Sequence, residues 1–216
     1  FNLGSVWRLN EMGWLPKIDI ITSVSGGSIL NGVLATRWPQ FTWTQDGVAS
    51  NFSEVVGAPV RAMARETIDV CAGIEGLLSI FSTISDKVTD AYDKHLFHKA
   101  RLQQDIPPFQ KGRTPRFLFY ATSLQTGSSV RIERKRLADY RIGEIPNPDL
   151  SVARVVAASS AFPPILSPVR LNLDPSQWQR LEGAFLFDKI DFKRCLLLTD
   201  GGAYDNMGLE AIWNRC

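Results

Sequence analysis

Histidine is nearly absent from this chain. Only His95 and His98 occur in 216 residues, so a hydrolase that needs an imidazole base has two candidates at most. Cysteine is also scarce. Cys71, Cys195 and Cys216 are odd in number and lack metal-type spacing, which argues against a disulfide framework or a thiolate zinc site and suits a reducing compartment. Long apolar runs are missing too. A membrane-spanning helix needs about 18 or more such residues, and the longest candidate, IDVCAGIEGLLSIFSTI, carries Asp69 and Glu75, so it reads as a buried or interfacial helix. Charge of one sign is not in excess: 24 Lys and Arg face 22 Asp and Glu, a net of +2. That balance fits neither a disordered acidic chain nor a strongly nucleic-acid-seeking one. The chain holds no phosphate-binding glycine loop, metal constellation, low-complexity tract or internal repeat.

What is present suffices for one good core. Hydrophobic residues make up 44% of the chain, and its length suits a single domain over 1–216. Val6, Leu9 and Met12 recur at helical spacing before Gly13, which predicts a helix over 2–12 already under way at the first residues. Pro16 then leads into a β-branched strand, Ile18 to Val24, and a second helix runs from Ser28 to Trp38. Helix, strand, sharp turn and helix are a piece of an α/β sheet. Residues 39–112 are less orderly. Helices are predicted at 59–70, 73–82 and 86–103, and the region reads as a helical insertion or cap. The sheet pattern resumes at Arg116 to Thr122 and turns at Gly127-Ser128 into Val130 to Arg134. A helix over Ser151 to Ser159 and a buried strand, Cys195 to Thr199, complete the set.

Ser25 occupies the apex of Ser23-Val24-Ser25-Gly26-Gly27, between the first strand and the second helix. A nucleophile elbow needs small neighbours because its serine sits in a strained turn. Here Ser23 stands where the usual G-x-S-x-G pattern has glycine, while Gly26 and Gly27 supply a permissive turn. The positive end of the following helix would favour an oxyanion there, with the Gly26 N–H as donor. Serine-glycine loops of no chemical consequence are equally common, and the motif alone does not separate the two readings. For a base, Asp200 leaves the strand CLLLT beside Gly201 and Gly202, at a strand end where reacting groups gather in α/β folds. Partial desolvation there would raise its basicity, although Asp-Gly also simply forms turns. His95 and His98, in KHLFHKA, read as surface or capping residues. They are the resident candidates for a competing Ser-His-Asp esterase.

Ser25 and Asp200, in this order and these contexts, resemble the patatin-like phospholipase family. Four blocks carry the likeness: FNLGSVWRLNEMGWLPKIDIITSVSGGSILNGVL, FLFYATSLQTGSSVRI, VARVVAASSAFPPILSPV and LLLTDGGAYDNMGLEAIW. The resemblance reaches from Phe1 to about Trp213 and is weak across 39–112. It implies a three-layer α/β/α sheet sandwich and a carboxylic ester hydrolase of the phospholipase A or lipid acyl hydrolase type. By the same resemblance, a Ser25–Asp200 dyad works without histidine, cofactor or metal. The family's glycine-rich oxyanion loop, with its basic residue, lies upstream of the helix that opens this chain. The domain is therefore expected to be truncated at its N-terminal edge and poorly active alone. Expected partners are a lipid or acyl-ester substrate and a peripheral membrane contact, with no nucleic acid and an oligomeric state left open. A cytoplasmic or peripheral-membrane location goes with this reading.

Secondary features remain. Arg131, Arg134, Lys135 and Arg136 could meet head groups or form a solvated hairpin end. Ile74 to Ile84 reads as a lid helix or as core packing. Tyr204, Asp205 and Asn206 would shape the loop after Asp200. An inert lipid-binding module of the same fold is the reading from a different class.

Overall fold

The computed structural model describes residues 1–65, 84–164 and 166–213. Helix α1 (Asn2–Glu11) and a 3-10 turn (Leu15–Lys17) precede strand β1 (Ile20–Ser23) and helix α2 (Gly26–Arg37). A π-helical turn (Ser53–Gly57) leads into helical residues 58–65. Helix α3 (Ile84–Tyr92), a second π-helical turn (Asp93–Phe97) and the short α4 (Leu102–Asp105) follow. Then come β2 (Arg116–Ser123), β3 (Ser129–Glu133), β4 (Arg136–Asp139), β5 (Gly143–Pro146) and helix α5 (Val152–Ser159). The described chain closes with β6 (Val169–Asn172), α6 (Ile190–Arg194), β7 (Cys195–Asp200) and α7 (Glu210–Trp213).

All seven strands belong to one mixed sheet of order β5-β4-β3-β2-β7-β6, with β1 also on β2. Among the described residues, only the β1–β2 pair is parallel. Strand β2 is the hub. Phe119 lies opposite Ser23 on one side and Ile132 on the other, while Ala121 lies opposite Asp200 and Val130. Strands β1 and β7 therefore share one edge of β2, lie end to end, and run toward each other.

Alternation along β2 explains how the layers form. Phe117, Phe119 and Ala121 enter the main core together with Val130, Ile132, Leu137, Ile145, Leu196 and Leu198 from neighbouring strands. Leu118 and Tyr120 are buried on the opposite face, where Gly208 of the C-terminal segment approaches the Tyr120 ring. The main core is covered by α5, whose residues are small and almost all buried, and by α2. These two helices and Phe97 meet at Gly32, where an added Cβ would stand 2.8 Å from the Phe97 ring and 3.0 Å from Val156. An aromatic cluster of Trp38, Phe41, Trp43 and Phe117 fills the other end of α2.

Some expectations shift. Strand β1 begins at Ile20 because Leu15–Lys17 winds into a 3-10 turn, and α2 ends at Arg37 because Pro39 lies in the 3-10 turn Trp38–Gln40. The continuous helix expected over 86–103 is broken. Asp93 accepts the His98 N–H on its carbonyl (2.6 Å) and the Lys99 N–H on its carboxylate (2.8 Å), and both residues turn left-handed, with φ of 49° and 66°. Strands β4, β5 and β6 were not expected: RLAD, GEIP and VRLN are too short and polar to stand out. The helix expected at 73–82, the last residues of that at 59–70, and most of the Ile74 to Ile84 segment lie outside the described residues. No described helix is long and apolar enough to cross a membrane.

Candidate active site

Ser25 joins β1 to α2 with φ 54° and ψ −132°, a backbone state that costs a non-glycine residue about 1–3 kcal/mol. The strain thus falls on the serine itself. Gly26 and Gly27 are helical and do not use their freedom at positive φ, contrary to the permissive-turn expectation. What Gly26 contributes is space and an amide. Its missing Cβ faces nothing within 4 Å, and its N–H makes no hydrogen bond among the described residues. By contrast, the next two amides are taken: Gly27 N–H donates to the Val24 carbonyl and Ser28 N–H to the Ser25 carbonyl. A free donor therefore stands beside Ser25 at the positive end of a 12-residue helix.

The strained turn rests on a buried polar network. Ser25 N–H donates to the Ser159 carbonyl at 3.1 Å and lies 3.3 Å from Ser159 Oγ. Ser159 Oγ donates to the Tyr120 carbonyl, and Ser23 Oγ to that of Leu118. Ser28 Oγ sits between them, 2.9 Å from Ser23 Oγ and 2.7 Å from Ser159 Oγ. Asn31 Nδ2 uses both protons, on Ser23 Oγ and the Leu118 carbonyl. Ser23 thus does more than stay small in place of glycine. Its hydroxyl is the centre of the network, which joins β1, α2, β2 and α5.

Asp200 ends β7 and is 5% exposed. Its Oδ1 accepts the Gly202 N–H at 2.7 Å, whereas Oδ2 is buried without a partner among the described residues. Its own N–H donates to the Ala161 carbonyl, two residues beyond the Ser159 carbonyl that holds Ser25. The end of α5 thereby anchors both residues. Along β2, Ser23 and Asp200 are registered two residues apart, about 7 Å. Gly201 makes the approach possible: a Cβ there would stand 2.5 Å from the Tyr120 carbonyl oxygen and 3.2 Å from Val24. Ser25 and Asp200 are not hydrogen-bonded to each other. In the unliganded state such contacts are often long and tighten only with substrate. A cavity of about 310 Å³ runs along β1 and the start of α2, lined by Val24, Gly27, Asn31, Asn206 and Met207 among others.

The remaining candidates disperse. His98 lies beside the C-terminal end of α2, about 18 Å of helix away from Ser25, and His95 lies in the π-helical turn before it. The basic cluster is divided among partners: Arg131 pairs with Glu210, Arg136 with Glu133 and Glu144, and Arg134 reaches the Gln103 carbonyl. Asp205 ties the loop by accepting the N–H groups of Met207, Gly208 and Glu210. Partial desolvation, with Glu210 and Tyr140 nearby, pushes the Tyr204 phenol above its ordinary value. No group of three metal-ligating side chains occurs among the described residues.

A family model for patatin-like phospholipases matches residues 1–213. The chain belongs to the patatin-like phospholipase family. No curated protein matches it. A patatin-like phospholipase is an α/β protein and, at the level of the family, a lipid acyl hydrolase whose substrates are lipids. Within this patatin-like domain, Ser28, Asn31 and Ser159 escaped the sequence reading. All three lie in segments that carry the family likeness, and Ser28 and Asn31 lie on one face of α2 three residues apart. Only the fold reveals that all three reach Ser23 or Ser25.

Proposed function

We propose that the chain is a serine acyl hydrolase that cleaves fatty-acyl esters of phospholipids or related lipids through Ser25 and Asp200. The observation that carries this reading is the convergence of β1 and β7 on one edge of β2. It sets a strained, network-held serine beside a buried carboxylate with a free oxygen. Asp200 Oδ2 accepts the hydroxyl proton as Ser25 Oγ attacks the ester carbonyl. The Gly26 N–H, at the positive end of α2, meets the developing oxyanion. Collapse transfers the proton from Asp200 to the leaving alcohol and leaves an acyl-Ser25. Water, deprotonated by Asp200, then attacks the acyl group, and the proton returns to Ser25 Oγ as the fatty acid departs.

One N–H is a minimal oxyanion site. A second donor would complete it, and among the described residues β1 leaves its far edge unpaired beside the 310 Å³ cavity. A phospholipase A type of cleavage, peripheral membrane contact and a single domain with 39–112 as a helical insertion belong to the same proposal. So does a three-layer sandwich, supported by α2 and α5 on one face of β2 and the C-terminal segment on the other.

Ser25→Ala and Asp200→Asn should each abolish esterase turnover and labelling by a fluorophosphonate probe, with the fold retained by circular dichroism. Robust labelling of Ser25→Ala would refute the assignment. One observation favours an alternative, a lipid-binding module without turnover: Ser25 and Asp200 are not hydrogen-bonded to each other. Liposome binding without hydrolysis of any acyl ester tested would establish that alternative.

A further inference from the structure

At the end of α2 opposite Ser25 lies a polar cavity of about 460 Å³, lined by Thr36, Arg37, Gln40, His98, Lys99 and Asp105 among others. Arg37 sets its character. The side chain is half-buried, and its guanidinium donates to the carbonyls of Val55 (3.1 Å) and Leu96 (3.4 Å). Those two bonds tie the π-helical turns to α2, but they leave three of the five N–H donors of an arginine unspent. No carboxylate pairs with Arg37 among the described residues. Arg116, Arg131 and Arg154, also partly buried, each have one. Loss of water around Arg37 holds its guanidinium below its ordinary value, the mark of a cation without a counter-ion.

The rest of the rim adds positive charge. Lys99 and His98 are exposed and adjoin Arg37 across the cavity. The one carboxylate in the lining, Asp105, accepts the Arg101 N–H on a single oxygen at 2.7 Å and is the one negative charge set against these three cationic side chains. Asp93, beneath the turn, is occupied by the Lys99 N–H. His98 and Lys99 are also consecutive non-glycine residues in left-handed backbone, a conformation that disfavours both side chains. Only two other described non-glycine residues have positive φ, and one of them is Ser25. Strain of this kind gathers at ligand sites, where side-chain placement matters more than local stability.

We propose that this cavity is a phosphate-binding site, with Arg37, Lys99 and His98 as its donors. A planar guanidinium with spare N–H groups, an ammonium and an imidazole suit a tetrahedral oxyanion with several acceptors. The cavity has room for more than the anion, so a free phosphate and the head group of a phosphomonoester are the two sources of this chemistry. The site is separate from Ser25, about 18 Å away along α2.

Thermal unfolding of the protein in inorganic phosphate, against chloride at equal ionic strength, tests this. Phosphate should raise the melting temperature saturably and chloride should not. Lys99→Gly removes both the amine and the left-handed penalty. It should melt at the same temperature or higher without phosphate, yet bind phosphate about tenfold more weakly. Arg37→Gln should weaken phosphate binding at least as much. Should that variant fail to fold, Lys99→Gly decides alone. An unchanged phosphate response in Lys99→Gly, or an equal response to chloride, overturns the proposal. Sedimentation with phosphatidylcholine vesicles containing phosphatidic acid separates the sources. Binding that inorganic phosphate competes away and Lys99→Gly loses supports a head group. A phosphate response without vesicle binding supports the free anion.

Discussion

Ser25 and Asp200 reach the same stretch of β2 from opposite directions and are held in opposite ways. Ser25 arrives on a parallel strand, in a backbone conformation that favours glycine. Four buried polar side chains (Ser23, Ser28, Asn31 and Ser159) support it from beneath. Asp200 arrives on an antiparallel strand with unstrained backbone, one carboxylate oxygen on the Gly202 N–H and the other buried and free. The Ser25 side is held by many bonds because its backbone conformation is costly and must be over-determined. The Asp200 side keeps one acceptor uncommitted among the described residues, which the proposed role of a proton acceptor requires. The two sides share one anchor, the last residue of α5 and the turn just after it, where the Ser159 and Ala161 carbonyls hold one residue each.

The junction itself should be the most fragile point of this arrangement. Gly201→Ala drives a Cβ to within 2.5 Å of the Tyr120 carbonyl, which is backbone and cannot step aside. Overpacking of this kind costs about 1–3 kcal/mol or more. The expected result is a lower urea midpoint together with loss of turnover. Unaltered stability would mean that β1 and β7 do not meet as closely as described here.

Ser159→Ala strikes the nucleophile side alone. It leaves the Tyr120 carbonyl without its hydroxyl donor and removes one of the two acceptors near the Ser25 N–H. A stability loss of about 1–2 kcal/mol is expected. Turnover should fall more than fluorescence-detected lipid binding, because the support acts on the position of Ser25. An equal fall in both would make the network merely structural.

Ser25→Gly gives the smallest change and the opposite sign. Glycine accepts φ 54° without penalty, so the gain outweighs its larger unfolded-state entropy and stability should rise by about 1 kcal/mol while activity disappears. Asp200→Ala has no backbone strain to relieve and loses the bond from the Gly202 N–H, so it should show no such rise. Chemical denaturation of both variants makes the comparison. A destabilised Ser25→Gly protein would show that the serine conformation is not strained.

Much of this was legible in residue order. The strand–serine–helix unit, the strand before Asp200 and the hairpin after β2 follow from apolar periodicity and turn residues, because these are local preferences. Strands β4, β5 and β6 were not legible, since four-residue polar segments become strands only when a neighbour offers an edge. The break at His98 and Lys99 was hidden for a related reason. KHLFHKA has helical composition, and it is Asp93, capping backwards, that stops the helix. Likewise the sequence placed glycine freedom at Gly26 and Gly27, whereas both are helical and Gly26 contributes space and an amide.

By itself, the sequence singled out Ser25 and Asp200 as candidates, showed that histidine is scarce, and placed a strand before each of the two residues. Those are properties of composition and of short windows. The tertiary structure alone decided that the two strands end face to face on one edge of β2. It also decided that Ser28, Asn31 and Ser159 converge under the elbow, and that Arg37, His98 and Lys99 gather at the far end of the same helix. Each depends on the registry of segments tens of residues apart, set by burial of the shared core rather than by any local preference.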